Sequence, residues 1–203
     1  MQKREADERG RGRSAARSRR RRVTGRVAGL LATLGMAVLP LPVLAAESVY
    51  LYLTVDGQEI QGDVTQAGRE NSIECLSLSD VGFTNVDPAT GAARGRVHRP
   101  LTITKPIDRA SPLLQLAWSR VSNVDSAELR FYRPNPQNGS IQHYYTILLE
   151  GGYVASVSTH SPDVLDPATA NRPATEEVTF VFQTITWTYE PTGATAQDTW
   201  GAR

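Results

Sequence analysis

Apolar and polar residues alternate along most of this chain beyond residue 48. In Val49–Asp56, Val49, Leu51, Leu53 and Val55 point one way, and Tyr50, Tyr52, Thr54 and Asp56 the other. A period of two predicts a strand with one apolar face. Asp56-Gly57 is hairpin chemistry, so Gln58–Val64 is the return strand. Ile73–Leu78 repeats the alternation, with Cys75 on the face of Ile73 and so a small buried thiol. Asp80–Arg96 is polar and rich in Gly, Asp, Asn and Arg, which predicts a long exposed loop. Val97–Ile103 reads as a strand again.

The period then changes. Ser111 is a good N-cap and Pro112 suits the first helical turn. Leu113, Leu114, Ala117, Trp118 and Val121 form one apolar stripe, so Ser111 to about Val121 is a helix flanking a sheet. Strands follow at Ala127–Arg133, Ile141–Glu150 and Tyr153–Thr159, with turns at Asn135–Gly139 and Gly151-Gly152. His160–Thr175 holds three prolines and reads as a second long loop. In Glu176–Glu190 one face carries Val181, Ile185, Trp187 and Tyr189, and the other Phe180 and Phe182, so this last strand is buried on both sides. Gly193–Arg203 reads as a polar tail. The count is seven to nine strands and one helix, which suits a sandwich or barrel.

The 203 residues carry a net charge of +1, which hides two opposite regions. Residues 1–26 hold 11 Lys/Arg against three Asp/Glu, a net of +8, and the remainder sums to −7. An acidic body argues against nucleic-acid binding, which needs a clustered basic face. Residues 27–46 carry no charge and follow Arg19–Arg22 and Arg26. That order of basic, apolar and small residues is a secretory signal, with cleavage between Ala45 and Ala46. Pro40 and Pro42 break the apolar run late, which favours a cleaved signal over an uncleaved anchor. The chain thus divides into a basic leader, residues 1–45, and one domain, residues 46–203. If the true start lies downstream of the leader, the protein is cytoplasmic before secretion.

Chemistry is sparse. No Gly-x-Ser-x-Gly elbow, His-Glu-x-x-His motif or phosphate-binding glycine loop is present. His98, His143 and His160 lie far apart with no paired cysteine, so no metal and no cofactor is expected. A hydrolase built on His98 or His143 is the weakest of the functional readings. Asp108-Arg109 reads as a local charge pair at the helix entry, and Lys105 as a turn residue.

The domain resembles the Hcp family, the tube protein of bacterial type VI secretion. Gly95–Lys105 (GRVHRPLTITK) and Asp108–Leu114 (DRASPLL) resemble the family's central signature and helix entry. Tyr50–Gly62, Ile73–Ser79, Leu129–Arg133, His143–Leu149 and Glu177–Tyr189 follow in the family's order. The resemblance implies a mainly β fold, a two-sheet β-barrel with one flanking α-helix. It further implies hexameric rings that stack into a hollow tube, spike and sheath partners, effectors in the lumen, and no enzymatic activity. On that reading Tyr50, Tyr52, Phe180 and Phe182 are candidate assembly contacts. Asp80, Asp87, Arg94 and Arg96 are candidates for charge pairs between stacked rings. The leader suits the alternative of an exported Hcp-like binding or adhesin module that works without the sheath.

The leader makes a direct prediction. Intact-mass analysis of the exported protein should give a chain beginning at Ala46; a chain that retains Met1 contradicts cleavage.

Overall fold

The computed structural model describes residues 47–201, so the leader and the Ala45–Ala46 cleavage site lie outside the described residues. The first strand, β1 (Ser48–Val55), buries Leu51, Leu53 and Val55 as its alternation requires. Asp56 and Gly57 both take positive φ and turn it into β2 (Gln58–Ile60). The two short strands β3 (Ile73–Cys75) and β4 (Ser77–Ser79) are separated only by Leu76. Next come β5 (Gly82–Val86), β6 (Ala93–His98) and β7 (Leu101–Pro106). The helix α1 (Ser111–Arg120) leads to β8 (Val124–Pro134) and the twenty-residue β9 (Ile141–His160). The chain ends with β10 (Thr175–Val181), β11 (Thr184–Tyr189) and β12 (Ala194–Thr199).

All pairings are antiparallel. One sheet holds β1, β8, the first half of β9, β11 and β12, with β2 and β3 along the outer side of β1. The other holds the second half of β9, β10, β7 and β4. Because β3 pairs with β1 and β4 with β7, the kink at Leu76 carries the chain from one sheet to the other. The succession β1–β8–β9–β10–β7–β4/β3 therefore returns to β1, which is the two-sheet, one-helix architecture expected. One core fills it, including Leu51, Ile73, Leu101, Leu114, Leu129 and Ile185. Each such side chain contributes roughly 1.5–3 kcal/mol by leaving water.

Several elements differ from the sequence pattern, each for a local reason. The expected turn at Gly151-Gly152 is a bend inside β9. Gly151 has φ +62, and a Cβ on Gly152 would meet the Val181 carbonyl oxygen at 1.9 Å. Opposite that bend, Glu176–Glu190 breaks into β10 and β11, and the Gln183 N–H donates to the carbonyls of Glu150 and Gly151. Both strands cross between sheets at this point. Phe180 and Phe182, expected at a second buried face, both lie in the central core with at most 2 % exposure, and so are withdrawn as subunit contacts. Val97–Ile103 is split by Arg99-Pro100, since Pro100 has no N–H to donate to a ladder. Asp80–Arg96 is not a loop but contains β5 and most of β6, and the polar tail contains β12.

The strand-to-helix corner is set by a buried charge. Lys105, at the end of β7, is fully buried. Its Nζ lies 2.7 Å from Asp108 Oδ1 and 3.2 Å from Glu176 Oε2. It also donates to the Pro106 carbonyl at 2.7 Å and to Ser111 Oγ at 3.0 Å. Glu176 stands directly opposite Lys105 in the β7–β10 ladder. Ser111 is therefore not the N-cap; Ala110 is, without a side-chain cap, and the Ser111 hydroxyl is inside with the ammonium. Asp108 Oδ1 accepts from the N–H of this N-cap residue at 3.0 Å. The expected Asp108–Arg109 pair does not form. Arg109 reaches Gly62 and Asn71 instead.

The apolar stripe of α1 is also narrower than expected. Ser111, Leu114 and Ala117 face the core, whereas Leu113, Trp118 and Val121 are exposed. Val121 ends the helix in the left-handed conformation, φ +52, with its N–H on the carbonyls of Ala117 and Trp118.

Removing a partner from a buried ion cluster leaves an uncompensated charge. Lys105→Met should cost about 3–5 kcal/mol in urea unfolding; a loss below about 1 kcal/mol contradicts this account of the corner.

Candidate assembly surface

β5 and β6 form a two-stranded sheet of their own, outside the two main sheets. Asp87 shapes the turn between them. Its Oδ1 accepts from the N–H groups of Ala89 (2.8 Å) and Thr90 (3.0 Å), and its Oδ2 from Arg94. The Arg94 guanidinium, aided by those two amides, holds the Asp87 carboxyl below its ordinary value. Gly91, with φ +72, completes the turn. The hairpin presents Phe83 and Val86 to solvent, with Val81 exposed at its base.

The base of the hairpin is tied to the last strand. Arg96 donates from Nε and Nη2 to the two oxygens of Asp198 on β12. His98 Nε2 lies 2.8 Å from Asp198 Oδ2. Arg96 above all, and then His98, keep the Asp198 carboxyl well below the usual carboxylate range. The His98 ring is packed by Trp187 (stacked, 6.2 Å), Trp200 (6.3 Å) and the edge of Phe182 (5.7 Å). Trp187 in turn donates through Nε1 to Asp80 Oδ2 at 3.0 Å. Asp80, Arg96 and His98 thus meet β11 and β12 around one aromatic cluster.

Asp80, Asp87, Arg94 and Arg96 gather in or at the base of the hairpin, and each has a partner within the same chain. Tyr50 and Tyr52 lie on the face of β1 away from the core, yet both are covered by this chain. Arg69 lies 5.2 Å from the Tyr50 ring and 4.1 Å from Tyr132, and the Tyr50 hydroxyl donates to Gln66 at 2.9 Å. Arg130 lies 4.2 Å over Tyr52. The sequence pattern missed Asp198 and Trp200. The signal was present as alternation in Ala194–Thr199, where Asp198 shares a face with Ala194 and Ala196.

The surroundings of His98 and His143 differ. His98 has a carboxylate partner, and its side-chain hydrogen bonds among the described residues include no hydroxyl or thiol. His143 stacks on Tyr132 at 5.2 Å and lies 3.0 Å from Thr146 Oγ1, with Glu190 at 3.9 Å on the same ring nitrogen. The carboxylate therefore does not orient the ring from the far side, as a base–orienter arrangement needs. Burial pushes the Cys75 thiol up to about 12, so it is not a nucleophile. Among the described residues no cluster of three metal-ligating side chains occurs, and no helix is long and apolar enough to cross a membrane.

The chain is similar in sequence and fold to known proteins. The family model described as "Type VI secretion system effector, Hcp" matches residues 52–189. The "Major exported protein" of Pseudomonas aeruginosa is 33% identical over 140 residues, covering 68% of this chain and 81% of that protein. The structure of a doubly substituted Hcp1 from E. coli EAEC 042 superposes with a TM-score of 0.68 at 31% identity, covering 76% of this chain and 99% of that one. The secreted protein Hcp3 from Pseudomonas aeruginosa gives a TM-score of 0.61 at 25% identity, over 77% of this chain and all of that one.

The Asp198 tie carries a pH dependence. Its carboxyl is depressed on folding, so the tie stabilises fully above the ordinary carboxylate value of 3.8 and weakens as pH falls through the lower folded value. Asp198→Asn should speed amide exchange in β6 and β12 at pH 7, and should remove the loss of protection that the parent chain shows below about pH 4. Unchanged exchange in both strands contradicts the tie.

Proposed function

The chain belongs to the Hcp family of type VI secretion proteins, and from that premise we propose that it is a structural subunit of the secretion tube. On this reading hexameric rings of the chain stack into a hollow tube, which engages spike and sheath proteins and carries effectors in its lumen. The family consists of secreted tube proteins and not of enzymes. The observation that carries the reading is the β5–β6 hairpin. It projects from the barrel, exposes Phe83 and Val86, and is fixed at its base by Arg96, His98 and Asp198. A projection that is already ordered loses little conformational entropy on docking, which favours stacking one ring on the next.

Export follows from the same premise, and from the relative named "Major exported protein". The uncharged residues 27–46 favour a second reading, an exported Hcp-like binding or adhesin module independent of the sheath. The two readings separate on release: the tube subunit leaves only cells with a working sheath, whereas the module leaves through its own signal.

Negative-stain microscopy of the purified chain should show concentration-dependent six-fold rings and short stacks. Phe83→Asp with Val86→Asp should keep the rings and remove the stacks. A monomer at every concentration contradicts the tube reading.

A further inference from the structure

The second long connection, between β9 and β10, is built around an apolar tip. Val164 and Leu165 are 72 % and 87 % exposed, the two most exposed large apolar residues of the described chain. The segment is nonetheless ordered by its own hydrogen bonds. Asp163 Oδ1 accepts from the Leu165 N–H at 2.9 Å, and Asp166 Oδ1 from the Ala168 N–H at 2.9 Å. Thr169 Oγ1 donates to the Asp163 carbonyl at 2.9 Å, and the Ala170 N–H to the Asp166 carbonyl at 2.8 Å. Two apolar side chains are thereby held outward between two carboxylates. A mobile loop would let them fold back, and preorganisation of this kind lowers the entropic cost of binding.

A surface of matching character lies on α1. Leu113, Leu116 and Arg120 follow at i, i+3 and i+7 along one flank, and all three are exposed. Val121 extends the strip and is 67 % exposed. It holds a left-handed φ of +52, which a β-branched residue adopts only with strain and which glycine would adopt without it. Arg120 forms no ion pair among the described residues, and neither do Asp163 and Asp166. The tip offers two apolar groups flanked by negative charge; the helix flank offers three apolar groups beside a positive one.

We propose that these surfaces meet between copies: the Asp163–Asp166 turn of one subunit seats Val164 and Leu165 against Leu113, Leu116 and Val121 of its neighbour, with the aspartates beside Arg120. This contact is heterologous, the turn of one copy on the helix flank of the next, and such contacts form a ring where the rotation closes. It deepens the tube reading and rests on it, since it names a lateral contact within the ring. The β5–β6 hairpin serves the separate contact between rings.

The test uses thiol pairing in the full chain, where buried Cys75, with its raised pKa, stays silent. Chains carrying Leu116→Cys are mixed with chains carrying Leu165→Cys and oxidised. Covalent dimers should form in the mixture and in neither variant alone. Leu165→Asp should raise the concentration for half-assembly roughly tenfold or more, as for a central contact residue. Arg120→Asp should weaken assembly similarly, and adding Asp163→Arg and Asp166→Arg should restore it. Rings that form normally with Leu165→Asp, or a mixture that yields no dimers, overturn the contact and leave the ring reading standing. Parent chains that form no rings at any concentration overturn both. A Leu116→Cys thiol that stays protected from a maleimide in chains also carrying Leu165→Asp assigns the helix flank to another occupant, such as residues 27–46, and overturns the proposal.

Discussion

A single buried ammonium fixes how the helix of this protein meets its sheets. Lys105 sits where β7 ends, and its Nζ is held by oxygens from the following turn, from the first residue of α1 and from the neighbouring strand β10. An ion in the interior costs several kcal/mol to desolvate, so it is tolerated only where its partners are placed well. That requirement couples the turn and the start of α1 to the β7–β10 ladder. The compact ammonium, with three donors, suits a site whose acceptors converge from different directions; the planar fork of an arginine would not. Once Asp108 and Ser111 are committed to Lys105, the start of α1 is set, and Leu114 and Ala117 fall onto the core.

The same corner decides what the helix leaves outside. With Ser111 turned inward, Leu113 and Leu116 cannot reach the core, and α1 shows an apolar flank to solvent. The hairpin at Gly82–His98 is fixed by a different device. Arg96 and His98 share Asp198, so the last strand of the chain holds a projection formed 100 residues earlier. The buried cluster and the exposed tie divide the labour. Lys105 orients the barrel and its helix, and Asp198 orients the hairpin. On the tube reading proposed above, assembly gains from both, because ordered projections dock with less loss of entropy than flexible ones.

Much of this was legible in the sequence wherever one face of a strand is apolar. Val49–Asp56, Ala127–Arg133 and the single helix follow from periodicity, and the motif from Gly95 to Leu114 pointed to the family. What escaped has a common physical cause. β5, β6 and β12 are exposed over most of their length and carry few apolar residues, so alternation gives little contrast and Gly, Asn and Thr read as loop. The bend of β9 at Gly151-Gly152 and the break before Thr184 are set by the close approach of two backbones, which no pattern of side chains reports. Lys105 looked like a turn residue because its partner Glu176 lies 71 positions away. Phe180 and Phe182 were assigned to a contact face because the break between β10 and β11, which turns both into one core, was not visible.

Lys105 and its partners hold the corner as a unit. The direct measurement is a double-mutant cycle on Lys105 and Glu176, using Lys105→Met, Glu176→Gln and the pair, read by urea unfolding. If the ion cluster holds the corner, each single change leaves a charge or polar group stranded, and the pair costs much less than the two losses added. A coupling on the order of 2 kcal/mol is expected. Losses that simply add would show that Lys105 and Glu176 are independent, and that something else places the helix.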